Sequence, residues 1–404
     1  METDRPLPVQ RRQWLQAMAM LATVPLVPAT ARAAAGGASS QATQSLAAAW
    51  MQGEQMRVGI VQPAAHAGQP LRIRQALDVP TRAHGMAALR DGSVVFASRR
   101  PGDWLVRLRP GQAADAAQWL WIEPDRVFNG HVIESADGRH VYTTETDLED
   151  AQGLIGVRDA GTLEKIAEWR TGGMDPHQLL MDADGTLMVA NGGIPTQSET
   201  GRRKLQLDHM DSCIARLLPA EGGAIGGLWK LDDNRLSLRH LAWGPRVAHA
   251  PRRRWLGIAL QAEHRDAQAR AAAPVLALFD GERLHAVPLP AGHEPLAGYG
   301  GDIGCDGELF AVSCPRVNTI SWWAVPDHRE GHGRWLRGDA MAGVYSVANA
   351  SVSLDARGRS LPADPALWMG GTRQAELRQR ARVRHTASVP GMALDNHWIA
   401  LSRG

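Results

Sequence analysis

Residues 174–193 read MDPHQLLMDADGTLMVANGG, which predicts a strand, a tight turn and a second strand. An apolar run follows His177, an Asp-Gly pair then supplies a two-residue turn of the kind that joins antiparallel strands, and residues 186–190 return along the first strand. His177 and Asn191 are therefore expected at the same end of the hairpin.

This hairpin recurs along the chain. Stretches that begin at His84 and His131 have the same form, and the separations from His84 to His131 and from His131 to His177 are 47 and 46 residues. Later cycles open on His240 and Asp302, and two further strands stand between successive hairpins. A repeat of roughly fifty residues is typical of a β-propeller, so we predict an all-β, seven-bladed β-propeller of four-stranded antiparallel blades. A poorly defined sixth cycle leaves a β-sandwich or an eight-bladed propeller as alternatives.

The two ends of the chain predict how the ring closes. The C-terminal cycle, from residue 391, supplies two inner strands with no outer pair, whereas residues 56–77 supply two outer strands with no inner pair. Joined in one sheet, the N-terminal outer strands and the C-terminal blade leave no open edge. We therefore expect one propeller domain over residues 56–404.

The N-terminus resembles an export signal. Arg11 and Arg12 precede a short apolar run, and an Ala-Arg-Ala triplet ends at residue 33, so we expect residues 1–33 to be a signal peptide of the twin-arginine type and the mature protein to be periplasmic. A general secretion signal is the alternative. Residues 34–55 are rich in Ala, Gly, Ser and Gln and predict a flexible leader.

Composition excludes some partners. The formal net charge of the whole chain is +2, and this balance predicts no nucleic-acid partner. The apolar run near the N-terminus is too short to span a membrane, so no membrane span is expected. A monomer is the expected state.

Nucleophile elbows, HExxH helices, phosphate-binding glycine loops and CxxC motifs are missing from the sequence.

The hairpin unit resembles the YVTN-type, WD40-like propeller repeat. The mature chain resembles the bacterial family of domain of unknown function fifteen-thirteen in stretches that cover most of residues 80–318. They are RAHGMAAL, RRPGDWLVR, FNGHV, YTTETDLE, GLIGVRDA, GMDPHQLL, DGTLMVANGGIPT, SLRHLAW, ALQAEH and LAGYGGDI. The resemblance implies an exported protein, encoded beside imelysin-like, iron-regulated periplasmic proteins, and hence metal handling by association.

One mouth of the propeller is the predicted site. Inner strands line the central channel, and the residues that open them should converge there. We expect a metal site from His84, His131, His177 and His240, because imidazole is a common ligand of iron, copper and zinc. The further residues expected at this mouth are Arg99, Glu145, Asn191, Glu263, His264, Asp302, Cys314 and Arg316.

Other interpretations of these residues remain open. Histidines at such positions are also used to hydrogen-bond a neighbouring blade and nothing else. A buried structural thiol is the alternative reading of Cys314. The arginines at the mouth, Arg99, Arg100 and Arg316, favour an anionic ligand, and an anionic metal complex would satisfy both groups of residues.

Two functions follow from the predicted site. The favoured hypothesis is a non-catalytic periplasmic binding protein for a metal ion or metal complex, in iron or copper handling, or a docking partner of imelysin-like or other periplasmic iron-uptake proteins. The alternative is a metal-dependent enzyme, a copper-type oxidoreductase or a hydrolase, with the same histidines as ligands and Glu145 or Glu263 as the base.

Overall fold

A computed structural model describes residues 44–195, 206–248, 250–326, 331–350 and 366–401. Its strands form seven four-stranded antiparallel sheets, which confirms the predicted seven-bladed propeller. The predicted signal peptide, residues 1–33, lies outside the described residues, and so do residues 34–43 of the predicted leader. No helix in the described ranges has the length and apolar character needed to cross a membrane.

The strands are numbered in chain order. The first eleven are β1 Leu46–Gln52, β2 Gln55–Gln62, β3 Arg72–Asp78, β4 Ala83–Ala88, β5 Val94–Ser98, β6 Trp104–Leu108, β7 Gln118–Trp121, β8 Arg126–Glu134, β9 His140–Asp147, β10 Gln152–Asp159 and β11 Lys165–Met174. The next eight are β12 Pro176–Met181, β13 Leu187–Asn191, β14 Cys213–Leu218, β15 Ala224–Trp229, β16 Leu236–Val247, β17 Ala250–Ala262, β18 Leu276–Phe279 and β19 Leu284–Ala286. The last nine are β20 Asp302–Cys305, β21 Leu309–Cys314, β22 Thr319–Ala324, β23 Arg334–Ala340, β24 Ser346–Asn349, β25 Leu367–Gly370, β26 Gln374–Gln379, β27 Arg382–Ser388 and β28 Ala393–Ala400. A short helix, α1 Ala267–Ala272, follows β17.

Each blade consists of four consecutive strands, except the blade that joins the chain ends. Blades 1 to 6 are β4–β7, β8–β11, β12–β15, β16–β19, β20–β23 and β24–β27, and blade 7 has the order β28-β1-β2-β3. The first strands of blades 1 to 6 and β28 contact one another in a closed ring. These seven inner strands therefore surround the axis on which the site is built.

The opening hairpin forms as its sequence predicts. Strand β12 pairs with β13, with Leu179 opposite Val189 and Pro176 opposite Asn191. Gly185 takes a φ of 84°, which glycine adopts without steric cost in a tight turn. His177 and Asn191 thus come to the same end of the hairpin.

The ring closes as predicted, because both ends of the chain contribute to one blade, but the number of strands from each end differs from the prediction. The C-terminus contributes one inner strand, β28, instead of two, and the N-terminus contributes three strands instead of two. The extra strand, β1, lies within the predicted flexible leader, so the propeller begins at residue 46 and not at 56. Its alanines suggested a linker, yet Ala47 and Ala48 are fully buried between β28 and β2, where small side chains fit the packed sheet.

The core lies between adjacent blades. Trp322 and Trp323, both fully buried on β22, belong to two different apolar clusters, one on each face of blade 5. Glycines on blade 4 leave room for the neighbouring blade: a Cβ at Gly257 would stand 2.5 Å from the ring of Phe310. This tight packing between blades holds the inner strands in fixed positions around the axis.

Candidate metal centre

Five inner strands carry a histidine, and each of the five departs from regular pairing around it. His84, His131, His177, His240 and His397 lie on β4, β8, β12, β16 and β28. The pairing register of each strand with its neighbour shifts across the segment that holds the histidine. The other two inner strands, β20 and β24, contain no histidine and pair without a shift in register. Because a bulge re-aims side chains, these shifts explain how the imidazoles point together.

Four of these imidazoles form a compact group. One ligand atom from each of His84, His131, His177 and His240 lies within 4.8 Å of the others, and all four residues are buried. Nε2 of His177 is 2.9 Å from Nε2 of His240 and 3.4 Å from Nε2 of His84. The structure thus brings together the four histidines predicted to form the site.

His397 adds a fifth imidazole to this group, and the five side chains together are called the histidine cluster. Its ring centroid is 4.6 Å from that of His84 and 4.5 Å from that of His240. Its Nδ1 donates a hydrogen bond of 3.1 Å to Oδ2 of Asp302, and the same oxygen accepts the backbone N–H of Val347 at 2.9 Å. Asp302 therefore reaches the cluster through His397.

Burial keeps the four grouped imidazoles neutral. It is the largest cause that lowers the pKa of His84, His131, His177 and His240 well below the ordinary value, and neighbouring imidazole and guanidinium charges lower it further. Within the described residues, each of the five cluster histidines also has a buried ring nitrogen with no hydrogen-bond partner. Buried polar atoms are rarely left in this state, so the cluster has unused capacity to bind a ligand.

Charged residues form a second layer at the N-terminal end of the histidine-bearing strands. We call Arg82, Arg99, Arg100 and Arg239, with Asp175 and Asp395, the arginine layer. Arg82 makes two hydrogen bonds to Asp395, of 2.9 and 2.6 Å. Asp175 is shared, since Arg100 and Arg239 each bind one of its oxygens. Arg99, predicted at this mouth, is half-buried, and its guanidinium has no ion pair within the described part of the chain.

Two tyrosines adjoin the arginine layer. The hydroxyls of Tyr299 and Tyr345 contact each other, and the guanidinium of Arg316 lies over the Tyr299 ring at 4.5 Å from its centroid. Burial is the largest cause that raises the pKa of Tyr345 above its ordinary value. Both the tyrosine pair and Arg316 are therefore at the predicted mouth.

The remaining predicted residues are placed elsewhere. Glu145 is fully buried between strands of blade 2, where it pairs with Arg158 at 2.7 Å and Lys165 at 3.2 Å. Asn191 donates to the carbonyl oxygen of Thr171 at 3.2 Å, beside the outermost strand of blade 2. Both lie on second strands, about 4.8 Å further from the axis than the inner strands, and the structure does not bring them into the histidine cluster.

The predicted residues at the C-terminal ends of β17 and β21 also lie outside the cluster. Glu263 accepts a hydrogen bond from Gln261 at 2.7 Å, and its charge acts on Arg239. His264 pairs with Asp233 at 3.0 Å. Cys314 is a buried free thiol whose pKa burial raises to about 12, so it is a protonated structural residue of blade 5 in this structure.

A cavity lies on the other side of the histidines. It has a volume of about 430 Å³, and His131 and His397 form part of its wall. Most of its other lining residues are apolar and follow the histidines along the inner strands, among them Met86, Leu179 and Leu241. The cluster therefore stands between a charged layer and a mainly apolar chamber.

Sequence reasoning missed His397 and the aspartates of the arginine layer. The C-terminal cycle was expected to supply two inner strands with no site residue, whereas His397 lies on the single inner strand β28. The repeat period could have identified His397, because this residue follows Asp302 by 95 residues, which is about two repeats. Asp175 and Asp395 each stand two residues before a cluster histidine, which is a second shared feature.

Comparison with known proteins identifies the family. Residues 77–401 match the family described as protein of unknown function (DUF1513), and the chain belongs to this family. No curated protein matches the chain by sequence.

Two solved structures share the fold. Kuenenia stuttgartiensis hydrazine synthase is 11% identical, over 82% of this chain and 93% of that chain, with a TM-score of 0.55. The periplasmic gluconolactonase PpgL of Pseudomonas aeruginosa is 13% identical, over 89% of this chain and 99% of that chain, with a TM-score of 0.53. Identities this low show a common propeller architecture and carry no function across.

Proposed function

We propose that this member of the DUF1513 family binds a transition metal ion through His84, His131, His177 and His240. The observation that carries the proposal is the convergence of four buried imidazoles from four successive blades, with ligand atoms within 4.8 Å of one another. Burying four polar side chains together costs free energy unless they bind a ligand or form hydrogen bonds with one another.

The spacing of the ring nitrogens suits a metal. In a tetrahedral site with metal–nitrogen bonds of about 2.1 Å, the ligand nitrogens lie roughly 3.4 Å apart. The Nε2 atoms of His84 and His177 are 3.4 Å apart, and those of His177 and His240 are 2.9 Å apart. The ligand atoms of all four histidines lie within 4.8 Å of one another.

The protonation state also favours a metal. Only a neutral imidazole has a lone pair to offer, and burial already lowers the pKa of the four histidines. The imidazole donor set suits copper, iron or zinc, and iron or copper handling is the proposed role. Asp302 would act through His397, as carboxylates do when they orient histidines around metals.

The cellular setting is part of the proposal. Export of the chain to the periplasm by its twin-arginine-like signal would let the site be filled before export, because that route carries folded proteins. A non-catalytic binding role, with imelysin-like or other periplasmic iron-uptake proteins as partners, is supported by the family resemblance described above and by the buried position of the cluster.

The cavity favours a second candidate function. His131 and His397 line a chamber of about 430 Å³, which is large enough for a small substrate next to a metal in the cluster. A copper-type oxidoreductase or a hydrolase would use this arrangement. Glu145 is engaged by Arg158 and Lys165, so His397 with Asp302 is better placed than Glu145 to assist such chemistry.

Metal analysis of the protein exported in its native host tests the proposal. We expect about one equivalent of a transition metal in the wild-type protein and its loss in the His177→Ala variant. His140→Ala is the matched control, because His140 lies on β9 and stacks on Tyr142 away from the cluster. The proposal would be wrong if the wild-type protein held less than a tenth of an equivalent of metal, both before and after addition of iron, copper or zinc. The histidines would then form only a hydrogen-bond network. Turnover of phenolic or ester substrates by the loaded protein would favour the enzyme over the binder.

A further inference from the structure

We propose that the arginine layer is an anion-binding site for a small oxyanion with two or more negative charges, a di- or tricarboxylate or a phosphate. This inference goes beyond the metal proposal and does not depend on it, because the site consists of different residues. It rests on the balance of charges, on the burial of the arginines and on the hydroxyl donors beside them.

The charges in the layer do not balance. Arg82 is matched by Asp395, but Arg100 and Arg239 share the single carboxylate of Asp175. Arg99 has no ion pair in the part of the chain that the structure describes. Four guanidinium groups thus meet two carboxylates, which leaves two positive charges without a match.

The surrounding charged groups do not remove this excess. The charge of Glu263 acts on Arg239, and Arg316 lies over the Tyr299 ring. With these two residues included, five guanidinium groups meet three carboxylates, so the excess stays at two positive charges. Asp302 lies against His397 and the backbone amide of Val347, where it accepts two hydrogen bonds.

Burial makes the excess charge costly. Arg239 is only 6% exposed. Its guanidinium has to share the one carboxylate of Asp175 with Arg100. Burial and then the like charge of Arg82 lower the pKa of Arg99. Guanidinium groups lose hydration in such a place, and a bound anion would restore their hydrogen bonds.

The layer is held rigidly. Asp175 is buried and takes a φ of 53°, a left-handed conformation that is uncommon for residues other than glycine. A Cβ added at Gly192 would stand 2.7 Å from Oδ2 of Asp175 and 2.9 Å from Nη1 of Arg239, so the backbone packs directly on this pair. Strained backbone of this kind persists where the surrounding structure holds it, often at binding sites.

Hydroxyl donors complete the proposed site. Tyr299 and Tyr345 place their hydroxyls against each other, and the charges of Arg99 and Arg239 both act on Tyr345. Since burial raises the pKa of Tyr345, its hydroxyl stays protonated and can donate to an oxyanion. Forked guanidinium donors and hydroxyl donors are the groups that bind carboxylate and phosphate in proteins.

An anion in this layer would lie beside the histidine cluster, because Arg239 directly precedes His240 on β16. A metal cation in the cluster would be repelled by the two unmatched guanidinium charges and attracted by the anion. Metal and anion should therefore increase each other's affinity.

Calorimetric titration of the metal-free mature protein tests the site, with citrate, inorganic phosphate and chloride as probes at constant ionic strength. We expect citrate or phosphate to bind, chloride not to bind, and Arg99→Gln to weaken binding roughly ten-fold or more. Arg57→Gln is the control, because Arg57 pairs with Asp78 on the exposed outer strands of blade 7 and should leave binding unchanged. Binding of citrate alone would assign a carboxylate, and binding of phosphate alone would assign a phosphate.

Two results would overturn the proposal. One is the absence of binding by both anions at up to about ten millimolar, and the other is equal affinity in the wild-type protein and the folded Arg99→Gln variant. The His177→Ala variant separates this proposal from the metal proposal, since it should lose metal and still bind the anion. Loss of anion binding in that metal-free variant would place the anion on the histidines and not on the arginine layer.

Discussion

Nδ1 of His397 lies 3.1 Å from Oδ2 of Asp302, although the two residues belong to blades 7 and 5. The contact spans the axis side of blade 6, whose inner strand adds the backbone N–H of Val347 to the same oxygen. Asp302 thus fixes the ring of His397 so that its Nε2, which has no hydrogen-bond partner among the described residues, is available to the cluster.

Replacing Asp302 by Asn should therefore weaken metal binding by about ten-fold, because His397, which packs against the rings of His84 and His240, loses the carboxylate that orients it. Competition with a chromophoric chelator would measure the change. Asp233→Asn is the matched control, since Asp233 makes a similar contact of 3.0 Å to His264 outside the cluster. Equal metal affinity in Asp302→Asn and the wild-type protein would contradict a role for this pair.

The stability of the metal-free protein should depend on pH through the cluster. The folded protein keeps His84, His131, His177 and His240 neutral because burial lowers their pKa, whereas in the unfolded chain they titrate near pH 6.5. The unfolded chain therefore binds more protons below that pH. The free energy of unfolding should be level above about pH 6.5 and fall below it, by up to about 1.4 kcal/mol per pH unit for each histidine.

Urea unfolding between pH 5 and pH 8 measures this dependence. A His84→Gln, His177→Gln double variant should show a shallower slope below pH 6.5, because two of the four buried imidazoles are gone. A wild-type protein with the same free energy of unfolding at pH 5 and pH 7 would contradict the expected linkage.

The ion pair between Arg158 and Glu145 should support stability and not metal binding. Both side chains are fully buried in blade 2, and Lys165 and Thr143 complete the environment of the carboxylate. Arg158→Met should lower the free energy of unfolding by roughly 3–5 kcal/mol, because a buried charge loses its closest partner. Metal content should not change.

Chemical unfolding and metal analysis of the same preparation check both parts of that prediction. Arg57→Met is a suitable comparison, since the pair it breaks with Asp78 is exposed and should change stability by less than about 1 kcal/mol. Loss of metal from a folded Arg158→Met protein would return Glu145 to the list of site residues.

Closure of the ring by β1 predicts a large effect at Trp50. This side chain is 1% exposed and packs in a cluster that joins Trp398 of β28 to Trp368 of blade 6. Trp50→Ala should lower the free energy of unfolding by about 3–5 kcal/mol, as large truncations in packed cores do. Ile166→Ala, at a position 58% exposed, should change it by less than about 0.5 kcal/mol. Equal stability of the two variants would mean that residues 46–52 act as a leader after all.

Periodicity carried most of the fold prediction. Hairpins opened by His84, His131 and His177 at intervals near 47 residues predicted the blades, because strand alternation and tight turns are local properties of the chain. The recurrence of the hairpin placed four of the five cluster histidines, including His240, which follows His177 by a longer interval of 63 residues. It failed at β1, where an alanine-rich segment looked like a linker, since burial by neighbouring strands is not visible in local composition.

Local sequence patterns were sufficient to predict that the chain repeats, that antiparallel hairpins build it, and that histidines open several of them. Which polar side chains meet depends on the packing of the blades around the axis. The register shifts on β4, β8, β12, β16 and β28 turn five imidazoles toward one point. Glu145 and Asn191 lie on second strands, where Glu145 stays within blade 2 and Asn191 contacts the outermost strand of that blade. A shift of one residue reverses the face to which a side chain points, and that shift depends on the pairing of distant segments.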